Sequence, residues 1–531
     1  MLGTKIHPRE IFERRKELGV KNSVNMLTEI IESDVDGNKR KEAIKYLALI
    51  SNNSMEIKDN CFTIFENLLI SEEKVEIKCE AAKAIGRIKH EKGLKPLKWI
   101  LEQKQVDNEL KLSVFKAIRQ IRFKEPEIKL FINELDCNFN AIKDFITIQL
   151  LSLNPEHLIS GLLDSLKNKY LSNKHKAELI KLIGYELSSI NISYEDISYM
   201  EVKYPEIITN LIQNKDVLLD VITLILKEED LELLNSIITI LKLMGEEIAR
   251  EIIKLLLIDD FIVRKNAIIL SGKLKIKNAV DFLITNLDNI YNEVSIASIE
   301  ALGEIGDLSA VPELLDILDI EDISFEYTDL DMKLYILDAI KKIYSSNQDA
   351  SYDYLYSCLE RENNTIRESV AFILGELGNE EFVQPLVKLL SIKNLDVRKN
   401  TIIALGKIGN LDSLENLIRL LEDKDSYWLI KKVTVDAIYN IFQNNWYQKK
   451  DDEEDVKRLL NKNIAILIDH LGNEADENFK VKISLIKILE TYGNDLALSA
   501  LLKRVNDFHR VVRIRASNAI KKIEERLELD N

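Results

Sequence analysis

Leu302-Gly303-Glu304-Ile305-Gly306 returns as Leu374-Gly375-Glu376-Leu377-Gly378 and again as Leu405-Gly406-Lys407-Ile408-Gly409. Each copy is followed by an aliphatic run: Val311 to Leu318, Val383 to Leu390 and Leu414 to Leu421. Upstream of each Leu-Gly stands an aliphatic residue, followed by a basic one in Ile366-Arg367 and Val397-Arg398 and by serine in Val294-Ser295. A phrase that recurs every few tens of residues marks a solenoid, whose units bury their apolar faces only by stacking on one another.

The basic position gives a register that reaches beyond these three copies. It recurs as Lys78, Lys111, Lys143, Arg264, Ser295, Lys333, Arg367, Arg398, Lys431, Lys482 and Arg513, each preceded by an apolar residue. Most neighbours are 31 to 38 residues apart, but 121 residues separate Lys143 from Arg264 and 51 separate Lys431 from Lys482. The first gap has room for about four units, and the second for one unit plus an insertion.

The run from Asp396-Val397-Arg398 to Ala404-Leu405-Gly406-Lys407-Ile408-Gly409, with Leu414 to Leu421 after it, resembles the HEAT-like repeats of phycobilisome lyase subunits. These are a short-period branch of the HEAT/armadillo superfamily. The resemblance is best over Phe261 to Asp423 and weaker over Val75 to Leu153 and Val481 to Leu527. It implies an all-α fold, a right-handed α-solenoid (superhelix) of stacked antiparallel helix pairs with a period of about 31–34 residues. It also implies that the second helix of each pair lines the concave side. Arg264, Arg367 and Arg398 would then form a structural ladder, bonding to carboxylates or carbonyls of neighbouring turns and joining unit to unit.

Along the chain, residues 1–166 read as an N-terminal array that opens on a capping helix over Met1 to Asn22, with Pro8 near its start and Gly19 at its end. Met26 to Ile70 reads as two helices around Asp34-Val35-Asp36-Gly37. Residues 167–230 lose the register and accumulate tyrosine, which marks a diverged helical segment and a candidate bend. Residues 231–531 read as a C-terminal array with insertions at 320–330 and 443–455. Pro96, Pro312 and Pro385 fall early in helices, where proline's missing N–H costs nothing.

Composition narrows the function. The chain has 531 residues, 73 basic and 89 acidic, for a net charge of −16. A protein that tracks nucleic acid neutralises phosphates with Lys and Arg, so this balance disfavours nucleic acid as partner. Only 7 prolines interrupt a helix-forming composition, and charges break every apolar run before the roughly 18 residues a membrane span needs. Met1 to Glu17 lacks the apolar core of a secretion signal, which points to the cytoplasm. Cys61, Cys79, Cys137 and Cys358 are isolated; Cys61, Cys79 and Cys358 sit among apolar helical residues as core side chains.

No nucleotide loop, zinc-protease or nucleophile-elbow motif occurs, so no catalytic, cofactor or metal residue is expected. Iron-binding deoxyhypusine hydroxylases carry several His-Glu pairs in HEAT repeats, whereas this chain has only His90-Glu91. Gly-x-x-Gly at 303, 375 and 406 reads as a helix-ending turn.

These features point to a non-catalytic scaffold that binds another protein or peptide on its concave face. An accessory or lyase-like subunit of the phycobilisome-lyase type comes second, and a nucleic-acid-binding HEAT-like protein, such as the alkylpurine glycosylases, third. Two outward columns of the second helices support the first reading. One holds Ile269, Glu300, Asp338, Phe372, Ile403 and Asp436; the other holds Lys273, Glu304, Lys342, Glu376, Lys407 and Asn440. A mixed, partly apolar groove suits a polypeptide better than DNA or RNA. The expected centre is Phe372 and Ile403, flanked by Glu368, Glu376, Lys399 and Lys407. Trp99 is a further candidate contact, because its sister positions are the polar Asp316 and Lys388. The basic last unit offers Arg513, Arg515 and Lys522 to an anionic group. Oligomeric state is left open.

Overall fold

Asn394 opens one of the repeated helices. Its side chain accepts the backbone N–H groups of Asp396 and Val397, both at 3.0 Å, satisfying donors that a helix start leaves without partners. The helix Leu395–Ile408 then runs to Gly409, whose φ of 75° is a left-handed turn that glycine adopts without a Cβ penalty. Gly306 and Gly378 close their helices in the same way. A single 3₁₀ turn such as Leu411–Ser413, capped by Asn410, leads into the next first helix, Leu414–Glu422. Leu405, Leu417 and Leu421 are wholly buried, and each contributes roughly 1.5–3 kcal/mol relative to exposure.

The computed structural model describes residues 6–51, 55–190, 200, 202–319, 329–446, 453–473 and 477–529. Among these the secondary structure is helical throughout, with no strand. The fold is an all-α solenoid of stacked helix pairs. It divides into two compact units, Met1–Asn266 and Ala267–Asn531. The segment 167–230 lies wholly within the first unit. Of the insertions, 320–328 and 447–452 lie outside the described residues, as does 191–199 within the irregular segment.

Second helices pack on second helices through a joint the sequence reading mistook. The first glycine of each Gly-x-x-Gly does not end a helix; only the second does. Gly303, Gly375 and Gly406 lie within their helices and face an alanine of the next one. A Cβ at Gly375 would stand 2.6 Å from Ala404 Cα, at Gly406 2.7 Å from Ala437 Cα, and at Gly303 2.9 Å from Ala339 Cα. Gly272 meets Ala301 and Gly86 meets Ala117 in the same manner. Backbones approach this closely only where one side carries no Cβ, so the glycines set the spacing between units.

Two further expectations need correction. Residues 26–70 belong to three helices, Val20–Ser33, Gly37–Ile50 and Met55–Ser71, because the opening segment is short: Pro8–Glu13, then Arg15–Leu18, stopped at Gly19 with φ 80°. The gap from Lys143 to Arg264 holds three steps of the register among the described residues, not about four. Asn173–Ile190 packs directly on Leu231–Lys242, with Gly184 against Ser236 in the Gly–Ala geometry. Pro205–Gln213 and Lys215–Ile225 fall between these two helices in the chain and pack on Pro155–Leu166.

Candidate functional site

Within Leu395–Ile408 the buried side chains are Val397, Thr401, Ile402, Ala404, Leu405 and Gly406. That leaves Lys399, Asn400 and Ile403 half-buried and Lys407 exposed. The same arithmetic in Asn364–Leu377 leaves Glu368, Phe372 and Glu376 half-buried. Phe372 and Ile403 therefore share one outward column on adjacent stacked helices. Lys407 Nζ lies 5.1 Å from the centre of the Phe372 ring, so the aromatic face is roofed in part by a cation from the next unit.

Three of the charges expected to flank this centre, Glu368, Glu376 and Lys407, are already engaged in cross-unit ion pairs. Glu376 bonds to Lys407 of the next unit and, at 3.0 Å, to Lys341 of the preceding one. These two cations, Lys407 first and Lys341 second, hold its carboxyl below the usual range despite partial burial. Glu368 likewise bonds back to Lys333 and forward to Asn400 at 3.5 Å. One unit pair away, Lys273 reaches Glu304 at 3.0 Å and pulls its carboxyl down. The outward columns thus double as a cross-unit lattice of ion pairs. Beside them lies a cleft lined by Lys275, Gly303, Glu304, Asp338, Lys341, Lys342 and two serines, with no aliphatic or aromatic residue among them.

The arginines of the register do different work. Arg367 Nε donates to Leu359 O at 3.1 Å and its Nη2 to Glu360 O at 3.4 Å, the last carbonyls of the helix Asp353–Glu360. Arg264 reaches Ile258 O and Asp259, and Arg513 reaches Asp507 O and Phe508 O at 2.9 and 3.0 Å. Arg367 thus clips its second helix to the end of the first helix before it, where carbonyls lack intrahelical donors, whereas Arg264 and Arg513 bond within the turn that follows the first helix. Arg398 Nε is buried without an acceptor. Where the register carries lysine, Lys111 pairs with Glu134, Lys143 with Glu178 and Lys482 with Asp507 at 2.5, 2.7 and 2.8 Å, whereas Lys78 donates to the carbonyl of Ile70 at 3.5 Å.

The remaining candidates stand on other helices. Trp99 belongs to the first unit, on the first helix Leu94–Leu101, and is 43 % exposed. In the last repeat Lys522 is paired with Glu490, and Arg513 with the carbonyls above, while Arg515 is exposed. Among the described residues no group of three or more His, Cys, Asp or Glu side chains is placed to hold a metal, and no helix is long and apolar enough to cross a membrane. Cys61, Cys79 and Cys358 are buried, and burial pushes the Cys61 thiol up to about 11.

The joints between units were the functional parts that sequence reading missed. Their signal was present: Ala301-Leu302-Gly303 and Ala404-Leu405-Gly406 place the alanine that receives one glycine two residues before the glycine that meets the next alanine.

With that geometry in hand, the family comparisons are specific. Residues 352–438 match the HEAT-repeat family model, and residues 296–319 match that of the PBS lyase HEAT-like repeat. These two stretches of the chain carry HEAT-like repeats. No curated protein matches it. Among solved structures, importin beta is similar at 12 % identity over 98 % of this chain and 78 % of its own, with a TM-score of 0.45. The CpcE–CpcF complex of phycocyanin lyase from Nostoc is similar at 19 % identity, over 46 % of this chain and 94 % of the other, with a TM-score of 0.24.

Proposed function

We propose that this chain is a non-catalytic scaffold that holds a partner protein or peptide against its second helices, centred on Phe372 and Ile403. One observation carries the reading. Phe372 and Ile403 stay half-exposed in a shared column, while Glu376 pairs with Lys407 and Lys341 and Glu368 pairs with Lys333. An incoming apolar side chain can bury itself there without stranding a charge, which is what a binding hot spot requires. Neighbouring units carry Glu300, Asp338 and Asp436 at the same position, so stacking alone does not demand Phe or Ile.

Affinity capture with the wild type and with a Phe372→Asp/Ile403→Asp variant, read by mass spectrometry, tests this. The expected result is a partner polypeptide whose capture falls at least about tenfold, as hot-spot losses of 2 kcal/mol or more imply, with helicity retained. A collapse in thermal stability would make the column packing only. Undiminished capture would place the partner elsewhere.

A further inference from the structure

Both outward columns of the second unit carry carboxylates, but the corresponding positions on the early helices of the first unit do not. Arg40, Lys78 and Lys111 occupy the clip position on Gly37–Ile50, Val75–Ile88 and Asn108–Ile121: Arg40 Nε donates to Ile31 O at 2.8 Å, Lys78 Nζ to Ile70 O at 3.5 Å, and Lys111 pairs with Glu134. Counting from these, the column that holds Glu300, Asp338 and Asp436 in the second unit holds Lys45, Lys83, Lys116 and then Ile148 here. The column of Glu304 and Glu376 holds Leu49, Arg87, Gln120 and Ser152. Neither stretch contains a carboxylate. The three helices stack consecutively, with Gly86 against Ala117 fixing the register between two of them.

Lys45, Lys83 and Lys116 are all exposed. Lys83 and Arg87 share a single carboxylate, Glu80, at 3.3 and 2.7 Å. Four cations on one face of three helices thus stand with two acids, Glu80 and the Glu42 that pairs with His7, in a chain whose net charge is −16. Apolar side chains stand among them: Leu49 is 46 % exposed and Ile148 62 %. We infer that this face of the first unit is a docking surface for an acidic, extended segment of a partner polypeptide that interleaves carboxylates with apolar residues. Stacked helices lie about 8–10 Å apart, so one lysine per helix matches a carboxylate at about every third residue of a strand rising roughly 3.3 Å per residue.

Single-stranded nucleic acid fits less well. Non-specific single-strand binders offer free aromatic faces to successive bases. The rings on this face are already occupied: Lys45 lies over Tyr46 at 6.0 Å and Lys116 over Phe145 at 5.8 Å, and Tyr46 also stacks on Phe12. Exposed Leu49 and Ile148 would gain nothing from a phosphate backbone, whereas apolar peptide side chains would bury them. The site is independent of the Phe372 reading.

The test uses the full chain and a fluorescein-labelled peptide of Glu, Asp and Leu, about 12 residues long so as to span four helices, read by fluorescence anisotropy. Binding should weaken as salt shortens the reach of the charges. Lys45→Glu/Lys83→Glu/Lys116→Glu should lower affinity roughly tenfold or more; the corresponding Lys→Gln triple should lower it less, and Lys424→Glu, an exposed lysine of the second unit, should leave it unchanged. Circular dichroism should show all variants folded. The inference is overturned if the peptide does not bind at low salt, if the Glu triple binds as the wild type does, or if oligo-dT of equal charge binds more tightly through the same lysines.

Discussion

Replacing Gly375 with alanine tests the joint between units with opposing effects that can be weighed. In a helix interior alanine is favoured over glycine by about 1 kcal/mol. Here the new Cβ would sit 2.6 Å from Ala404 Cα and 2.7 Å from Ala404 Cβ, against an ordinary carbon contact of about 3.5–4.0 Å. The obstacle is backbone, so the two helices must part by about an ångström. Overpacking of this kind costs about 1–3 kcal/mol, and a backbone clash belongs at the upper end. The net expectation for Gly375→Ala is a loss of about 1–2 kcal/mol. Gly161, within Pro155–Leu166, has no neighbour nearer than 3.7 Å, so Gly161→Ala should gain up to about 1 kcal/mol. Urea unfolding followed by circular dichroism reads the opposite signs. Amide exchange should show the loss concentrated in Asn364–Leu377 and Leu395–Ile408, because repeat stability is a sum of unit and nearest-neighbour terms. Ala404→Gly in the Gly375→Ala background should recover part of the loss, a coupling of about 1 kcal/mol in a double-mutant cycle. Stabilisation by Gly375→Ala, or a cycle without coupling, would refute the joint.

Two further outcomes follow from charges. Glu127 is fully buried between Lys98 at 2.9 Å and Arg122 at 3.0 Å; burial alone would raise its carboxyl, but the two cations hold it down to about 2. A depressed carboxylate stabilises above its unfolded value and loses that stabilisation as pH falls through the folded one. Glu127→Gln should therefore cost about 3 kcal/mol at neutral pH, with the gap to wild type closing between about pH 4.5 and 2 in acid titrations of stability; a gap that persists at pH 2 would contradict the assignment. Arg367→Ala should cost roughly 1.5–3 kcal/mol in urea unfolding, with Arg367→Lys restoring only part. Arg398→Ala should cost less, because Arg398 Nε has no acceptor; equal losses would show that the carbonyl clip is not what Arg367 supplies.

The repeat phrase made the fold legible because each of its letters has a local physical job. Asn394 caps, Val397 and Leu405 bury, and Gly409 turns. What it hid was non-local. Gly375 looks like punctuation until Ala404 is seen beside it, and periodicity cannot tell a glycine that turns from one that lets backbones touch. The stretch between Lys143 and Arg264 misled through length: Pro205–Gln213 and Lys215–Ile225 add residues without adding a step. At the candidate site the outward columns were readable from helical spacing. The pairing of Glu376 with Lys341 and Lys407 was not, because it depends on which units stack and how closely.

The scaffold reading is tested most directly by where a partner touches. A photo-reactive phenylalanine analogue placed at position 372, and separately at exposed position 388 on the first helix Val383–Leu389, can be activated in the presence of cell extract. A discrete polypeptide adduct is expected from position 372 and not from 388, diminished by Ile403→Asp in the same chain. Adducts from 388 alone, or adducts to nucleic acid from 372, would contradict a polypeptide held on the second helices.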